Sequence, residues 1–168
     1  MKKLILFVLS AALLLSGCTS TDETGNFQIY LTDQPIEADE IWVTITEINV
    51  QKEEEGFLTV WEGTKEYDLL ALRNKEALIL DTGLGAGTYT QIRLVVASGR
   101  IVIGGTSQDM TVPSSEVKIP VDFEILGEGS TEIVLDFEAD NSIHVVYTAG
   151  ENAAYILRPV IIVKSITY

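Results

Sequence analysis

The sequence predicts an all-β chain folded as a single antiparallel β-sandwich, and three observations carry that expectation. Apolar residues recur with period two along most of the chain. Those positions are rich in β-branched and aromatic residues. Glycines, prolines and charged turns interrupt the runs at roughly 8–12-residue spacing, the rhythm of a sandwich or small barrel.

Phe27, Ile29 and Leu31 mark a first strand, and Ile41, Val43 and Ile45 mark the apolar face of a second. After Glu47 the phase changes to Ile48 and Val50, which predicts a bulge. Phe57 to Trp61 returns from the charged turn at Lys52–Gly56. Asp68-Leu69-Leu70-Ala71-Leu72 reads as the one helical turn (68–72), with Asp68 as its N-cap. Leu78 to Leu80 is a short strand and Tyr89 to Ala97 a long one, with Tyr89 placed two residues after Gly87 as in a tyrosine corner. Ile101–Ile103 and Met110–Val112 flank Gly104-Gly105 as a hairpin. The runs Val121/Phe123/Ile125, Ile133/Leu135/Phe137, Ile143/Val145/Tyr147 and Ile156 to Tyr168 complete the set, with a tight connection at Gly127-Glu128-Gly129. Pro159 cannot donate to a ladder, so it should fall at an edge or a strand break.

The first residues read as an address. Lys2 and Lys3 precede an apolar stretch, Leu4 to Leu15, interrupted only by Ser10. That stretch is shorter than the roughly 20 residues of a spanning helix and suits the apolar core of a secretory signal. It ends in Leu15-Ser16-Gly17-Cys18, which resembles the lipobox of prokaryotic lipoproteins. The resemblance implies cleavage before Cys18, a diacylglyceryl group on its thiol, and an extracytoplasmic domain anchored to the cell membrane or outer membrane. Two acyl chains are what stable anchoring requires, since one holds only marginally. The organisation expected is a signal peptide over 1–17, lipidated Cys18 and a flexible tether over 18–25, and the sandwich over 26–168. Cys18 is the only cysteine, so the domain beyond it has neither a disulfide nor a thiolate metal site.

A net charge of −14 argues against nucleic-acid partners, because it repels phosphates. His144 is the only histidine and falls opposite the apolar side of its run, so no histidine metal cluster or histidine-based triad is expected. Carboxylates are the abundant reactive groups. Asp33 and Asp39 belong to an acidic loop with Glu37 and Glu40, and Asp136, Glu138 and Asp140 alternate over Leu135–Asn141. On an extended strand such neighbours lie about 7 Å apart, whereas calcium takes six or more oxygens at up to about 2.6 Å. A Ca2+ site made from these five residues would need the chain to turn at 139–141, or another loop, such as Asp33–Asp39, to contribute ligands. Trp42 and Trp61 are candidates for a carbohydrate platform, an alternative to their filling or covering the core. Edge strands offer a route to protein partners or self-association.

Several segments together resemble a family of uncharacterised bacterial and archaeal exported domains, often lipoproteins. They are Ile29-Tyr30-Leu31-Thr32-Asp33-Gln34-Pro35, Asp68-Leu69-Leu70-Ala71-Leu72, Ala86-Gly87-Thr88-Tyr89-Thr90-Gln91-Ile92-Arg93-Leu94, Leu135-Asp136-Phe137-Glu138-Ala139 and Leu157-Arg158-Pro159-Val160-Ile161. The family usually has Ala where Gln34 stands. The resemblance implies a transthyretin-like (prealbumin-like) sandwich and no assigned activity. The expected role is therefore a non-catalytic structural or interaction module, with a calcium- or carbohydrate-binding module for adhesion or nutrient capture as the alternative.

Overall fold

A computed structural model describes residues 23–33, 37–147 and 153–168. The signal segment, Cys18 and most of the expected tether lie outside them.

Alternation builds two facing sheets. One has the order β11 (Ile161–Thr167), β8 (Ser130–Phe137), β1 (Thr24–Asp33), β4 (Ala77–Gly85). The other runs β3 (Gly56–Asp68), β2 (Glu40–Lys52), β5 (Gly87–Ile103), and β5 is long enough to pair with both β6 (Thr106–Met110) and β7 (Glu116–Ile125). A separate hairpin joins β9 (Ile143–Tyr147) to β10 (Ala153–Leu157). Strand β1 begins at Thr24, two residues earlier than the sequence suggests. Gly25 is buried there, and a Cβ on it would overlap the Leu126 carbonyl.

The sandwich is mostly antiparallel, but β1 pairs with β8 in parallel, Asn26 opposite Ser130 and Asp33 opposite Phe137. Parallel neighbours need a long crossover. Most of the chain supplies it here, so period-two alternation carries no trace of the pairing.

Inward-facing side chains fill the space between the sheets. Ile29 stands opposite Ile133 and Leu31 opposite Leu135 along the parallel pair, and these four, with Phe27 and Phe137 on the same strands, are fully buried. Phe123 of β7 lies between Phe27 of β1 and Tyr89 of β5, stacked on both at 5.2 Å between ring centroids. This three-ring stack joins the two sheets. Among the described residues the buried hydrophobic side chains all fall between Phe27 and Ile161.

Local signals behave as expected at several points. The register shifts between Ile45 and Glu47 against both neighbours of β2, which is the bulge implied by the phase change. Gly104 and Gly105 both take positive φ in a two-residue hairpin between Ile103 and Thr106, the backbone of a primed turn. Asp68 caps a 3-10 turn over Leu69–Leu72, its Oδ1 accepting from the Leu70 N–H at 3.1 Å. The Tyr89 hydroxyl donates to the Gly85 carbonyl at 2.7 Å, closing the tyrosine corner where the chain crosses between sheets. Pro159 falls in the break between β10 and β11.

The strand directions give the molecule two ends. Glu23, Gly87 and Ser130 lie at one, where the Ala86 N–H donates to the Glu23 carbonyl. Asp33, Phe137 and Ile103 lie at the other. Strand β10 bridges Thr111 in parallel, so it descends alongside β6 and the Tyr147/Ala153 end of the hairpin lies away from Glu23. Val145, Val146 and Tyr147 are exposed on that hairpin, Tyr147 at 76%. Of the apolar face expected for Ile143/Val145/Tyr147, Ile143 packs against the core while Val145 and Tyr147 meet solvent, because the far part of the hairpin extends past the sandwich.

Candidate functional site

The outer face of the β3-β2-β5-β6 layer carries a polar cup built around one indole. Cross-strand partners share a face of a sheet. Trp42 of β2 is opposite Arg100 of β5 and Asp68 of β3, and Arg100 is opposite Asp109 of β6. In the next row Thr44 faces Ser98 on one side and Glu66 on the other. The Trp42 Nε1–H donates to the Glu40 carboxylate at 2.7 Å, and the Arg100 guanidinium lies 5.4 Å from the ring centroid and 3.9 Å from Glu40. The Ser98 hydroxyl donates to Thr44 Oγ1 at 2.7 Å. Trp42, Thr44, Glu66, Ser98, Arg100 and Asp109 line a hollow of about 330 Å³. That is the lower end of the size range for small-molecule sites, about 300–1,000 Å³.

Trp61 does not join this cup. It is opposite Ile48, which is buried, and it packs against the core beside Leu78–Asp81 of β4 with Lys65 at 5.4 Å over its ring. The bulge at Ile45/Glu47 is the reason: it turns Ile48 inward, and the cross-strand partner of an inward residue is inward too. The two indoles sit on opposite faces of one sheet, and a platform sharing both is not formed.

The acidic residues singled out as calcium ligands gather at the end of the sandwich away from Glu23, yet each holds a different place. Asp33 is buried and accepts from the Ala139 N–H at 3.2 Å. Asp136 is buried opposite Thr32. Asp39 accepts from the Gly105 N–H at 2.9 Å. Glu138 accepts from the Asn141 side chain at 3.0 Å, and Asp140 is exposed in a single helical turn, α1 (Ala139–Ser142). Alternation alone would put Asp136, Glu138 and Asp140 on one face of a strand. The strand ends at Phe137, so they do not share one. Among the described residues no three His, Cys, Asp or Glu side chains converge closely enough to hold a metal ion.

The family model for a domain of unknown function, DUF4382, matches residues 24–159. The chain belongs to the DUF4382 family. No curated protein and no solved structure matches it. The matched stretch opens at Thr24, where β1 begins, so the DUF4382 domain and the sandwich start together.

The DUF4382 domain shields two phenols. Burial raises the pKa of Tyr67. Burial also raises that of Tyr89, with Lys52 opposing and Glu55 adding to the shift. A group with a raised folded-state pKa stabilises the fold fully below its unfolded value, here about 10, and that contribution disappears as pH rises through the folded value. Tyr67 and Tyr89 should therefore ionise late in an alkaline absorbance titration. The melting midpoint should fall over the same range above about pH 10. Loss of stability well below that pH would contradict the assignment.

Sequence reasoning picked out Trp42 and the direction it faces. It missed Glu66, Ser98, Arg100 and Asp109, which complete the cup. The signal available was weak: Ser98 and Arg100 alternate with core positions on the long strand, but only the register shows that they stand opposite Thr44 and Trp42.

Proposed function

We propose that this DUF4382 domain is the displayed part of a membrane-anchored lipoprotein, a non-catalytic interaction module held outside the cytoplasm by a lipid on Cys18. The observation that carries the reading is the order of the leader: a basic start, a short apolar core, Ser16-Gly17 and then Cys18, followed within a few residues by β1. The geometry is consistent with display. The end of the sandwich nearest Cys18 in the chain is opposite the end from which the β9–β10 hairpin projects Val145, Val146 and Tyr147. A partner covering those three side chains would take their exposed apolar surface out of water.

Pairing through open edges is the weaker route to partners. β11 is broken by a register shift between Val163 and Ser165 and carries Lys164 beside it, and β3 presents Glu62, Lys65 and Glu66. Bulges and charges are how edge strands resist adding another chain. A non-catalytic role is supported by what the far-end carboxylates do, since Asp33, Asp39 and Asp68 accept from backbone N–H groups.

Cys18→Ala tests the anchor. In bacteria fed a labelled fatty acid, the unaltered chain should carry the label and sediment with membranes, and the variant should lose both properties. Labelling that persists in the variant would sink the reading.

A further inference from the structure

We propose that the Trp42 cup is a binding site for a neutral saccharide. The cup presents the two kinds of surface that a sugar ring has. Its indole offers a flat, electron-rich face for the C–H side of a pyranose. Around it stand carboxylate acceptors (Glu66, Asp109), guanidinium donors (Arg100) and hydroxyls that do both (Thr44, Ser98), which is the mixed inventory a polyol requires.

Charge selects among ligands. Glu66, Asp109 and a net charge of −14 oppose an anion, and Arg100 over the indole opposes a cation at the same ring. A neutral polyhydroxylated ligand can use the acceptors and the donors together. The site is also held in place before any ligand arrives. Glu40 fixes the indole N–H, Arg100 lies over the ring, and all the lining residues stand on or beside paired strands. Pre-organised groups lose less freedom on binding. Gly99 contributes from beneath, because a Cβ there would press on Leu157 and Met110, so the β9–β10 hairpin packs directly under the cup. The proposal goes beyond the display role and needs no lipid.

The experiment uses residues 23–168, which hold every buried hydrophobic side chain among the described residues, with folding of this piece checked first by a cooperative melt. Its two tryptophans give two indole N–H signals in a nitrogen–proton correlation spectrum. Chitotriose, cellotriose, maltotriose and mannotriose are titrated to about ten times a millimolar Kd, with a hyaluronan tetrasaccharide as the anionic probe. At least one neutral probe should move the Trp42 signal saturably and leave Trp61 in place. Trp42→Ala should abolish binding, and Asp109→Asn should weaken it at least about tenfold, both without lowering the melting midpoint by more than a few degrees. If Trp42→Ala does not fold, Asp109→Asn and Ser98→Ala decide the matter. No movement with any neutral probe, movement of Trp61 alone, full binding in the variants, or preference for the anionic probe would each overturn the proposal. A chain that binds sugar but carries no lipid would sink only the display reading.

Discussion

Phe123→Ala is expected to destabilise the sandwich by about 3–5 kcal/mol, the range for emptying a large aromatic site in a core. The ring is only 2% exposed and is the middle member of the Phe27–Phe123–Tyr89 stack. Its removal takes away two aromatic contacts, each worth about 0.5–1.5 kcal/mol beyond area burial. It also opens a hole between a ring of one sheet and a ring of the other, on strands too firmly paired to collapse into it. At about 2–4 °C per kcal/mol for a domain of this size, the thermal midpoint should fall by roughly 10 °C. A loss below about 1 kcal/mol would show that the inter-sheet stack does not hold the sheets together.

Asp33→Ala should cost up to about 3 kcal/mol, and calcium should make no difference to that cost. The carboxylate is 4% exposed and accepts from the buried Ala139 N–H, which ties the end of β1 to the turn that follows β8. Alanine leaves that donor without its acceptor in a place water does not reach, and an unmet buried donor is more expensive than the bond itself is favourable. The two accounts of Asp33 diverge in a melt of the unaltered domain run first in chelator and then in millimolar calcium. A ligand at a hundred times its Kd would add about 2.7 kcal/mol. We expect no shift. A calcium-specific rise that disappears in Asp33→Ala would mean that the residue is a ligand, and the structural account would be wrong.

How much was legible beforehand depended on the range of the interaction. The bulge after Ile45, the Asp68 cap, the Gly104-Gly105 turn and the Tyr89 corner are each set by residues close together in the chain, and each was readable. The limits of strands were less so. Ile101–Ile103 proved to be the end of the same strand as Tyr89, because Ser98 and Gly99 interrupt the apolar run without breaking the ladder. Of the candidate site, Trp42 and its outward direction were visible from alternation. Its separation from Trp61 was not, since that depends on which residue stands across from Trp61 on β2.

By itself the sequence determined the all-β class, the two-sheet architecture, the places where strands turn, and an acidic surface without thiols beyond Cys18. These follow from alternation, turn chemistry and composition, which act over a few residues or over the whole count. Only the tertiary structure decided that β1 runs parallel to β8, that β9 and β10 pair apart from the two sheets with Leu157 still buried in the core, and that Trp42, Arg100, Asp109 and Glu66 share a hollow. Those outcomes depend on which strands become neighbours and in what register. Register joins residues dozens of positions apart through hydrogen bonds that every backbone can make, so side-chain identity leaves little local record of it.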